Sequence, residues 1–425
     1  MLENSVELSN SAEGFFIKTD RFKTTLISYN FYLPLDGEKV AAFALLPFVL
    51  TTCGREYPDF SRLNFKLNKL YSASLSASAE KAGDYALLKI GIQVLDDKYA
   101  LDGEELVNSA THLLNSLIFE PLTENGAFRS EDVEREKRKA IEHIRGEMSE
   151  KRLYARKRLI EEMFKGDVFG LPKCGTEPQV AAITPESLYS AWEEVLRRAY
   201  LRINVISSTL PQGVFEDVKR RLSEIDRSAA VKVEKSRKAK PIYAAQRVEE
   251  KMDVAQGKLV MGFSAQVGDG DIESAPFTVM CDIFGGGPYS RLFTNVREKM
   301  SLCYYCAATG DKRKGFLMVD SGVEAENAKK AELEILRQLE LIKSGKFTDF
   351  EFQSSKRSII NSLKGYADHQ DAIDAWYTVR CSSASTISPE EYAEIIDSVD
   401  QNAVIEAAKG VKLHTVYNLV PNGEK

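Results

Sequence analysis

The sequence predicts an α+β protein of two homologous domains, each an antiparallel-rich sheet with helices packed on one face. The first observation is a repeat: Pro47-Phe48 recurs as Pro276-Phe277, and Ser61-Arg62-Leu63 recurs as Ser290-Arg291-Leu292, both at a spacing of 229 residues. The second is the order of segments, since strand patterns precede runs of helix patterns in each half. The third is the length, because 425 residues suit two domains of about 200 residues.

The repeat also sets the predicted domain boundaries. A repeat with so long a period indicates two similar domains rather than a solenoid. We place these domains at 1–228 and 256–425, joined by a linker at 229–255. Lysine and arginine are frequent between Arg227 and Lys251. We interpret them as a solvated connection rather than a basic docking patch, because aromatic residues do not interleave with the charges.

The first half begins with a strand at 22–34, where Ile27, Tyr29 and Phe31 alternate onto one face. The further elements predicted for this half are helices at 40–52, 59–70, 104–117 and 131–164, strands at 72–79, 84–95 and 202–209, and a helix that ends near Ile225. Thr184-Pro185-Glu186 opens one more helix, since a capping hydroxyl is followed by proline at the first helical position.

The second half repeats this plan. Its predicted elements are strands at 258–265, 302–309, 315–323 and 411–420, and helices around 277–284, 290–299 and 331–342. Thr348 and Glu351 have the spacing of a capping box. Ser388-Pro389-Glu390 mirrors Thr184-Pro185-Glu186, which supports the reading of one plan used twice.

The composition is that of an ordinary globular protein and disfavours several classes. Hydrophobic residues make up 44% and charged residues 28%. The net charge of −6 argues against a nucleic-acid-binding protein, which usually has a basic domain. No apolar run approaches the roughly 20 residues of a membrane span. The polar, acidic start Met1–Ser5 shows no secretory signal, so we expect a cytoplasmic protein.

Cys303 and Cys306 form a CxxC spacing, and the six cysteines are otherwise scattered. Scattered cysteines indicate reduced thiols rather than a disulfide framework. Because residues three apart on a strand point to opposite faces, we expect these two sulfurs to diverge. No second CxxC is present to complete a zinc site, so we interpret the pair as ordinary semi-buried cysteines.

Two motifs resemble the pitrilysin, insulinase and mitochondrial processing peptidase family of zinc peptidases. The more specific one is the Gly-Gly-Gly-Pro-x-Ser-Arg-Leu-Phe stretch at Gly285–Phe293, followed by Arg-Glu-Lys-Met-Ser-Leu-Cys-Tyr at Arg297–Tyr304. The other is the first-half pattern at Gly170–Glu186. The resemblance covers nearly the whole chain. It implies a clam-like pair of domains that holds a peptide between its halves.

Active members of that family carry an HxxEH motif, in which two histidines ligate zinc and the glutamate activates water. In this chain the matching positions are Leu45, Phe48 and Val49, and no histidine precedes His112. We expect these three apolar residues to pack in a core. The zinc motif is therefore degenerate.

The resemblance also implies that His143 stands at the family's third ligand position, with Glu136 as a relic beside it. His143 and Glu147 share a helix face, but a catalytic zinc needs three protein ligands and no third is evident. A charged helix surface is the favoured reading. We expect no cofactor on this chain and a zinc ion on a partner chain.

Arg297 and Tyr304 are the family residues that this chain retains. In the family, this second-half pair completes the active site opposite the zinc. A guanidinium can bind a peptide carboxylate or carbonyl, and a tyrosine hydroxyl can donate to an oxyanion. Outside such a motif, an arginine on a charged helix and a tyrosine on a strand would usually be structural.

The resemblance therefore implies a catalytically inactive subunit of a bacterial-type heterodimeric zinc peptidase. A homologous HxxEH chain would supply zinc and general base, and this chain would supply groups that bind the peptide. The alternative is a scaffold that keeps the fold for assembly alone. A third hypothesis, an independent hydrolase, has the least support, because the sequence has no GxSxG motif and no His–Cys pair.

Overall fold

The computed structural model describes residues 2–211, 213–242, 244–381 and 386–422. The chain forms two compact units, each built from three segments. Unit 1 comprises Met1–Ile144, Leu171–Glu234 and Ala367–Ser382, and unit 2 comprises Arg145–Gly170, Lys235–Tyr366 and Ser383–Lys425. Each unit thus includes a segment from the other half of the sequence. The boundaries 1–228, 229–255 and 256–425 remain a prediction.

The strands, in chain order, are β1 (Leu2–Ser9), β2 (Ala12–Lys18), β3 (Thr24–Pro34), β4 (Ser74–Ala82), β5 (Tyr85–Leu95), β6 (Thr123–Glu124), β7 (Ala127–Phe128), β8 (Tyr200–Ser207), β9 (Gln246–Met252), β10 (Gly257–Ala265), β11 (Cys303–Asp311), β12 (Phe316–Val323) and β13 (Val411–Pro421). The helices are α1 (Val40–Leu50), α2 (Phe60–Lys69), α3 (Leu106–Phe119), α4 (Ser130–Ser149), α5 (Lys151–Met163), α6 (Glu177–Ala181), α7 (Pro185–Arg198), α8 (Val214–Ser223), α9 (Asp271–Gly285), α10 (Ala328–Lys343), α11 (Asp349–Tyr366), α12 (Gln370–Val379), α13 (Pro389–Ser398) and α14 (Gln401–Lys409). Short 3₁₀ turns lie at Asp97–Tyr99, Val168–Gly170 and Ala325–Asn327, and a π-helix lies at Leu292–Lys299.

Unit 1 is organised around a six-stranded mixed sheet in the order β1-β2-β8-β3-β5-β4. Strands β2 and β8 run parallel, and the other neighbours are antiparallel. Side chains alternate along β3, as in any strand. Ile27, Tyr29 and Phe31 lie in one apolar cluster with residues of α1, α3 and α7. The α+β class with helices on this face is confirmed.

The opposite face of the same sheet is covered by α12, which the sequence did not predict. Ser28 Oγ and Asn204 Nδ2 donate to Asp374 Oδ1 at 2.7 and 2.6 Å. Tyr32 donates its hydroxyl proton to the carbonyl of Thr378 at 2.7 Å. These partners lie far from α12 in the sequence, so no local pattern marks the contact. Helix α12 is therefore an addition to the predicted helical face of this sheet.

Unit 2 contains a five-stranded sheet in the order β11-β12-β10-β13-β9. Helix α5 packs on it through Leu159 and Met163, which share a cluster with Val260 and Tyr417. A Cβ at Gly262 would lie 2.7 Å from Met163 Sδ, so glycine permits this close approach. Strand β9 lies inside the predicted linker and pairs in parallel with β13, so residues 246–252 belong to the sheet.

The long helix predicted at 131–164 is two helices, α4 and α5. The chain leaves helical geometry at Glu150, where φ is −81° and ψ is 89°. The Glu150 carboxylate accepts the backbone N–H of Arg152 at 3.1 Å and so caps α5. Neither glycine nor proline marks this break, which explains why the sequence predicts one continuous helix.

Three predicted helix starts are confirmed by their capping bonds. Thr184 accepts the N–H of Ser187, and Ser388 accepts that of Glu391. Thr348 Oγ1 accepts the N–H of Glu351 at 3.1 Å, while the Glu351 carboxylate accepts the N–H of Thr348 at 2.7 Å. These short-range signals survive because both partners lie within one turn of the chain.

Candidate functional site

The degenerate zinc motif lies on α1, an almost wholly apolar helix beneath the unit 1 sheet. Leu45 and Val49 are each 3% exposed and belong to the apolar core. Their predicted packing is confirmed. Phe48 is 39% exposed, so the expectation that it packs in the core is wrong. An aromatic ring is thus exposed on α1 at the position that we predict to match the general base of the zinc peptidases.

Phe48 lines a cavity of about 410 Å³, together with Leu45, Glu136 and His143. The structure therefore brings together three of the four predicted motif positions, while Val49 is not part of the cavity wall. The rest of the wall consists mainly of small and apolar residues with a few charges: Ala41, Ala44, Ser78, Ala79, Glu80, Lys139, Ala140, Lys173, Cys174 and Val180.

The charged groups around this cavity are already engaged with one another. The Glu136 carboxylate accepts hydrogen bonds from Lys139 Nζ at 2.9 Å and from Arg135 Nε at 3.2 Å. The Thr52 hydroxyl lies 3.4 Å from the same oxygen. A carboxylate paired with two cations is a structural group more readily than a metal ligand.

The side chains at this site do not fit a zinc ion. A catalytic zinc needs three protein ligands, and neither the Leu45 nor the Phe48 nor the Val49 side chain carries a donor atom. Within the described ranges, no three His, Cys, Asp or Glu side chains cluster closely enough to hold a metal. His143 has an exposed side chain on α4. The cavity is an apolar chamber with a charged rim.

A second cluster of charged and polar side chains links α4 to the segment that follows α1. Burial raises the pKa of the Cys53 thiol to about 12, and its Sγ donates to Asp132 Oδ2 at 3.3 Å. Burial alone would raise the pKa of Asp132, but hydrogen bonds from Arg129, Arg135 and Cys53 outweigh it and hold that pKa below its usual range. The Cys53–Asp132 hydrogen bond thus links the segment after α1 to α4, the helix that also carries Glu136.

Arg297 lies in unit 2, on the π-helix Leu292–Lys299. Its side chain is 39% exposed, with Nη1 3.6 Å from a Glu298 oxygen. The guanidinium also lies 4.5 Å from the centre of the Phe293 ring. By contrast, the neighbouring Arg291 is buried, and its guanidinium donates to Gln338 and to the Lys346 carbonyl. Arg291 thus serves the fold, whereas the Arg297 side chain reaches solvent.

Tyr304 is the extra residue of a β-bulge in β11. Cys303 lies opposite Val323 and Tyr305 opposite Gly322 on β12, so Tyr304 has no counterpart. A bulge bends a strand and re-aims its side chains. The Tyr304 side chain is 70% exposed. No sequence signal marks the bulge, although the family motif marks the residue.

The bulge also corrects the expectation for the CxxC spacing. An extra residue resets the alternation of side chains, so residues on either side of it can share a face. Cys303 and Cys306 are both buried, and they lie opposite Val323 and Ser321, two positions apart on β12 and therefore on one face of the sheet. The predicted divergence of the two sulfurs is wrong for this physical reason.

The sequence reading missed the residues that close the cavity opposite α1. Lys173 and Cys174 belong to the segment Leu171–Glu234 of unit 1, and Ser78 and Glu80 belong to β4. These contacts connect segments more than 90 residues apart, so periodicity could not reveal them. Glu136 and His143 were found only through the family motif.

The fold and site define a class: a two-sheet, metallopeptidase-like chain whose metal-motif helix carries apolar residues. The family model described as the Peptidase M16 inactive domain matches residues 182–359. The "Probable inactive metalloprotease YmfF" of Bacillus subtilis is 30% identical over 403 residues, covering 95% of this chain and 94% of that protein. The chain belongs to the M16 peptidase family, which confirms the resemblance carried by Gly285–Phe293 and Arg297–Tyr304.

Two further proteins are similar to this chain. The "Uncharacterized zinc protease YmxG" of Bacillus subtilis is 22% identical over 335 residues, covering 76% of this chain and 79% of that protein. The crystal structure of a conserved protein from Enterococcus faecalis superposes with a TM-score of 0.90 at 25% identity, covering 100% of this chain and 99% of that one. In the part of the chain that the structure describes, we find no helix with the length and apolarity to cross a membrane.

Proposed function

We propose that this chain is a non-catalytic subunit of a heterodimeric zinc metallopeptidase. A homologous HxxEH-containing chain supplies the zinc ion and the general base. This chain supplies Arg297 and Tyr304, which bind the peptide substrate at the partner's active site. The observation that carries the proposal is the contrast between a retained, solvent-exposed Arg297–Tyr304 pair and a zinc motif filled by apolar side chains.

The contacts of Arg297 and Tyr304 support a binding role. The 3.6 Å contact between Arg297 and Glu298 is an exposed ion pair, which typically contributes less than about 1 kcal/mol to stability. Tyr304 sits on a bulge that leaves one residue of β11 without a partner on β12. Bulges and π-helices recur beside functional sites, where they re-aim side chains. Both residues are therefore poorly explained by folding alone.

The unit 1 cavity supports peptide binding by a second route. Strand β4 is an edge strand and contributes Ser78, Ala79 and Glu80 to the cavity wall. An extended peptide can hydrogen-bond to the free edge of such a strand while a side chain enters an adjacent pocket. The apolar wall at Leu45 and Phe48 would favour an aliphatic or aromatic side chain.

The partner is proposed from the chemistry this chain lacks. The residues at the zinc-motif positions cannot hold or activate a metal-bound water, and YmfF, a relative of similar length, is named a probable inactive metalloprotease. YmxG, a related chain of comparable length, is named an uncharacterized zinc protease, which supports the proposal that such a partner exists. The simplest source of the missing ligands is a family member from the same genome.

Reconstitution tests the proposal. The chain and the HxxEH-containing family member of its own organism are purified separately, then mixed in equal amounts and assayed for peptide cleavage. We expect a heterodimer on gel filtration and cleavage well above that of either chain alone. A heterodimer without any gain in cleavage would favour the scaffold alternative, and two chains that do not associate would contradict both.

A further inference from the structure

The bulge at Tyr304 places two thiols on the same face of β11 in unit 2. Cys303 and Cys306 are 8% and 5% exposed, and they lie opposite Val323 and Ser321, two positions apart on β12. On a regular strand the same spacing would separate them across the sheet. A buried dithiol is thus built from one short segment of β11, with the most exposed tyrosine of the described chain between its members.

The two thiols differ in their electrostatic surroundings. The hydrogen bond from Cys306 and the nearby Arg297 guanidinium lower the pKa of Cys303, even though burial opposes this. The hydrogen bond to Cys303, burial and the nearby Asp320 carboxylate raise the pKa of Cys306. Cys303 is therefore the member that ionises first, and Cys306 remains the proton-carrying partner. This is the division between an attacking and a resolving thiol.

We propose that Cys303 and Cys306 form a dithiol modification site that hydroperoxides oxidise to a disulfide across the Tyr304 bulge. The Cys303 thiolate attacks one peroxide oxygen, so an S–O bond forms and the O–O bond breaks. The departing oxygen takes a proton and leaves as water or an alcohol. Cys306 sulfur then attacks Cys303 sulfur, the S–S bond forms, and the sulfenic hydroxyl leaves as water with the Cys306 proton. Two thiols lose two electrons in total, and the peroxide gains them.

Closing this bond has a mechanical consequence for the strand. A disulfide requires Cα atoms within about 7 Å, closer than residues three apart in an extended strand. The bond therefore restrains the segment between the cysteines, in which Tyr304 is the residue without a counterpart on β12. Oxidation is expected to re-aim the Tyr304 side chain. An effect of oxidation on peptide binding rests on the proposed function. The dithiol chemistry itself does not depend on that function.

The test is made on the full chain, without any partner. The reduced protein is treated with hydrogen peroxide, and free thiols are trapped by alkylation before digestion and mass spectrometry. We expect a Cys303–Cys306 cross-link that has lost two hydrogens. Cys281 is buried and burial raises its pKa, so it serves as the internal reference. Cys303 should react on the order of tenfold faster than Cys281, in line with its greater thiolate character.

Two variants sharpen the result. Cys306→Ser should stop the reaction at a Cys303 sulfenic acid that dimedone captures, while Cys281→Ser should leave the cross-link unchanged. Loss of the cross-link in Cys281→Ser would overturn the assignment. So would a wild-type chain in which both thiols remain free, or one in which Cys303 reaches the sulfinic acid while Cys306 stays reduced. Since the readout is a mass, it does not depend on peptidase activity.

Discussion

At the scale of single residues, α1 carries apolar side chains at the positions that we matched to the zinc motif. Leu45 and Val49 face the core, and Phe48 faces a cavity that also contains Glu136 and His143. The sequence located these positions because the family motif fixes their spacing. The sequence could not distinguish the exposed Phe48 from the buried Leu45 and Val49, because all three side chains are apolar. Only the folded chain shows which of them is exposed.

Restoring the zinc motif on α1 should destabilise the chain rather than produce an enzyme. Leu45→His and Val49→His each place a polar ring in the core, and unsatisfied buried polar groups cost about 1–3 kcal/mol. Phe48→Glu changes a half-exposed position and should leave the melting temperature nearly unchanged. Thermal denaturation of the single and triple variants makes the comparison. A triple variant that melts with the wild type would show that Leu45 and Val49 face solvent rather than the core.

At the scale of elements, α12 joins unit 1 through polar contacts rather than an apolar stripe alone. Asp374 is fully buried, where it accepts hydrogen bonds from Ser28 and Asn204 and pairs with Lys89. Such a network fixes a helix at one register on the sheet, because every partner must be aligned at once. The network explains why α12, which lies late in the sequence, packs on strands β3, β5 and β8 of the first half.

Asp374→Ala should therefore be strongly destabilising. It leaves Lys89 and Asn204 facing a buried site without their carboxylate, and breaking a buried ion pair typically costs about 3–5 kcal/mol. Asp371→Ala, at an exposed position of the same helix, is the matched control and should change stability by less than about 0.5 kcal/mol. Urea denaturation measures both. Equal stability of the two variants would mean that α12 is held by its apolar side chains alone.

The elements themselves divide into those the sequence determines locally and those it does not. Strands β3 and β5 and helices α1, α2 and α7 follow from periodicity and capping within short windows. Other features depend on residues that are distant in the sequence and meet only in the folded chain, so no short stretch of sequence predicts them. These features are helix α12, strand β9 and the bulge at Tyr304. The break at Glu150 is local but lacks the usual glycine or proline signal. The same division holds for the candidate site, where motif residues were found and the cavity walls at Lys173 and Cys174 were not.

At the scale of the whole molecule, the chain between the two sequence repeats should be its most easily cleaved region. Residues 231–242 have no regular secondary structure, and Lys232 and Lys235 are exposed there. Brief trypsin treatment should cut first at these lysines, because exposed irregular chain is cleaved before packed elements. Arg62 and Lys66 are an internal control, since they are accessible side chains on the helix α2. Mass analysis identifies the first cuts, and initial cleavage within 40–70 would contradict the prediction.

The residues that matter for the proposed function are distributed between the two units. Unit 1 keeps the family's sheet and the helix of the zinc motif but lacks donors at the motif positions. Unit 2 carries Arg297 and Tyr304, whose side chains are exposed. The pair is therefore where the proposed function is most directly open to experiment.

The most direct measurement is steady-state peptide cleavage by the reconstituted pair carrying Tyr304→Phe or Arg297→Ala in this chain. Tyr304→Phe removes one hydroxyl, and loss of an oxyanion donor typically lowers turnover on the order of a hundredfold or more. Arg297→Ala should also raise KM, because it removes a charged contact to the peptide. Tyr99→Phe, at another exposed tyrosine, should leave activity unchanged. With assembly verified by gel filtration, our account predicts these losses, whereas full activity of both variants would contradict it and leave this chain a scaffold.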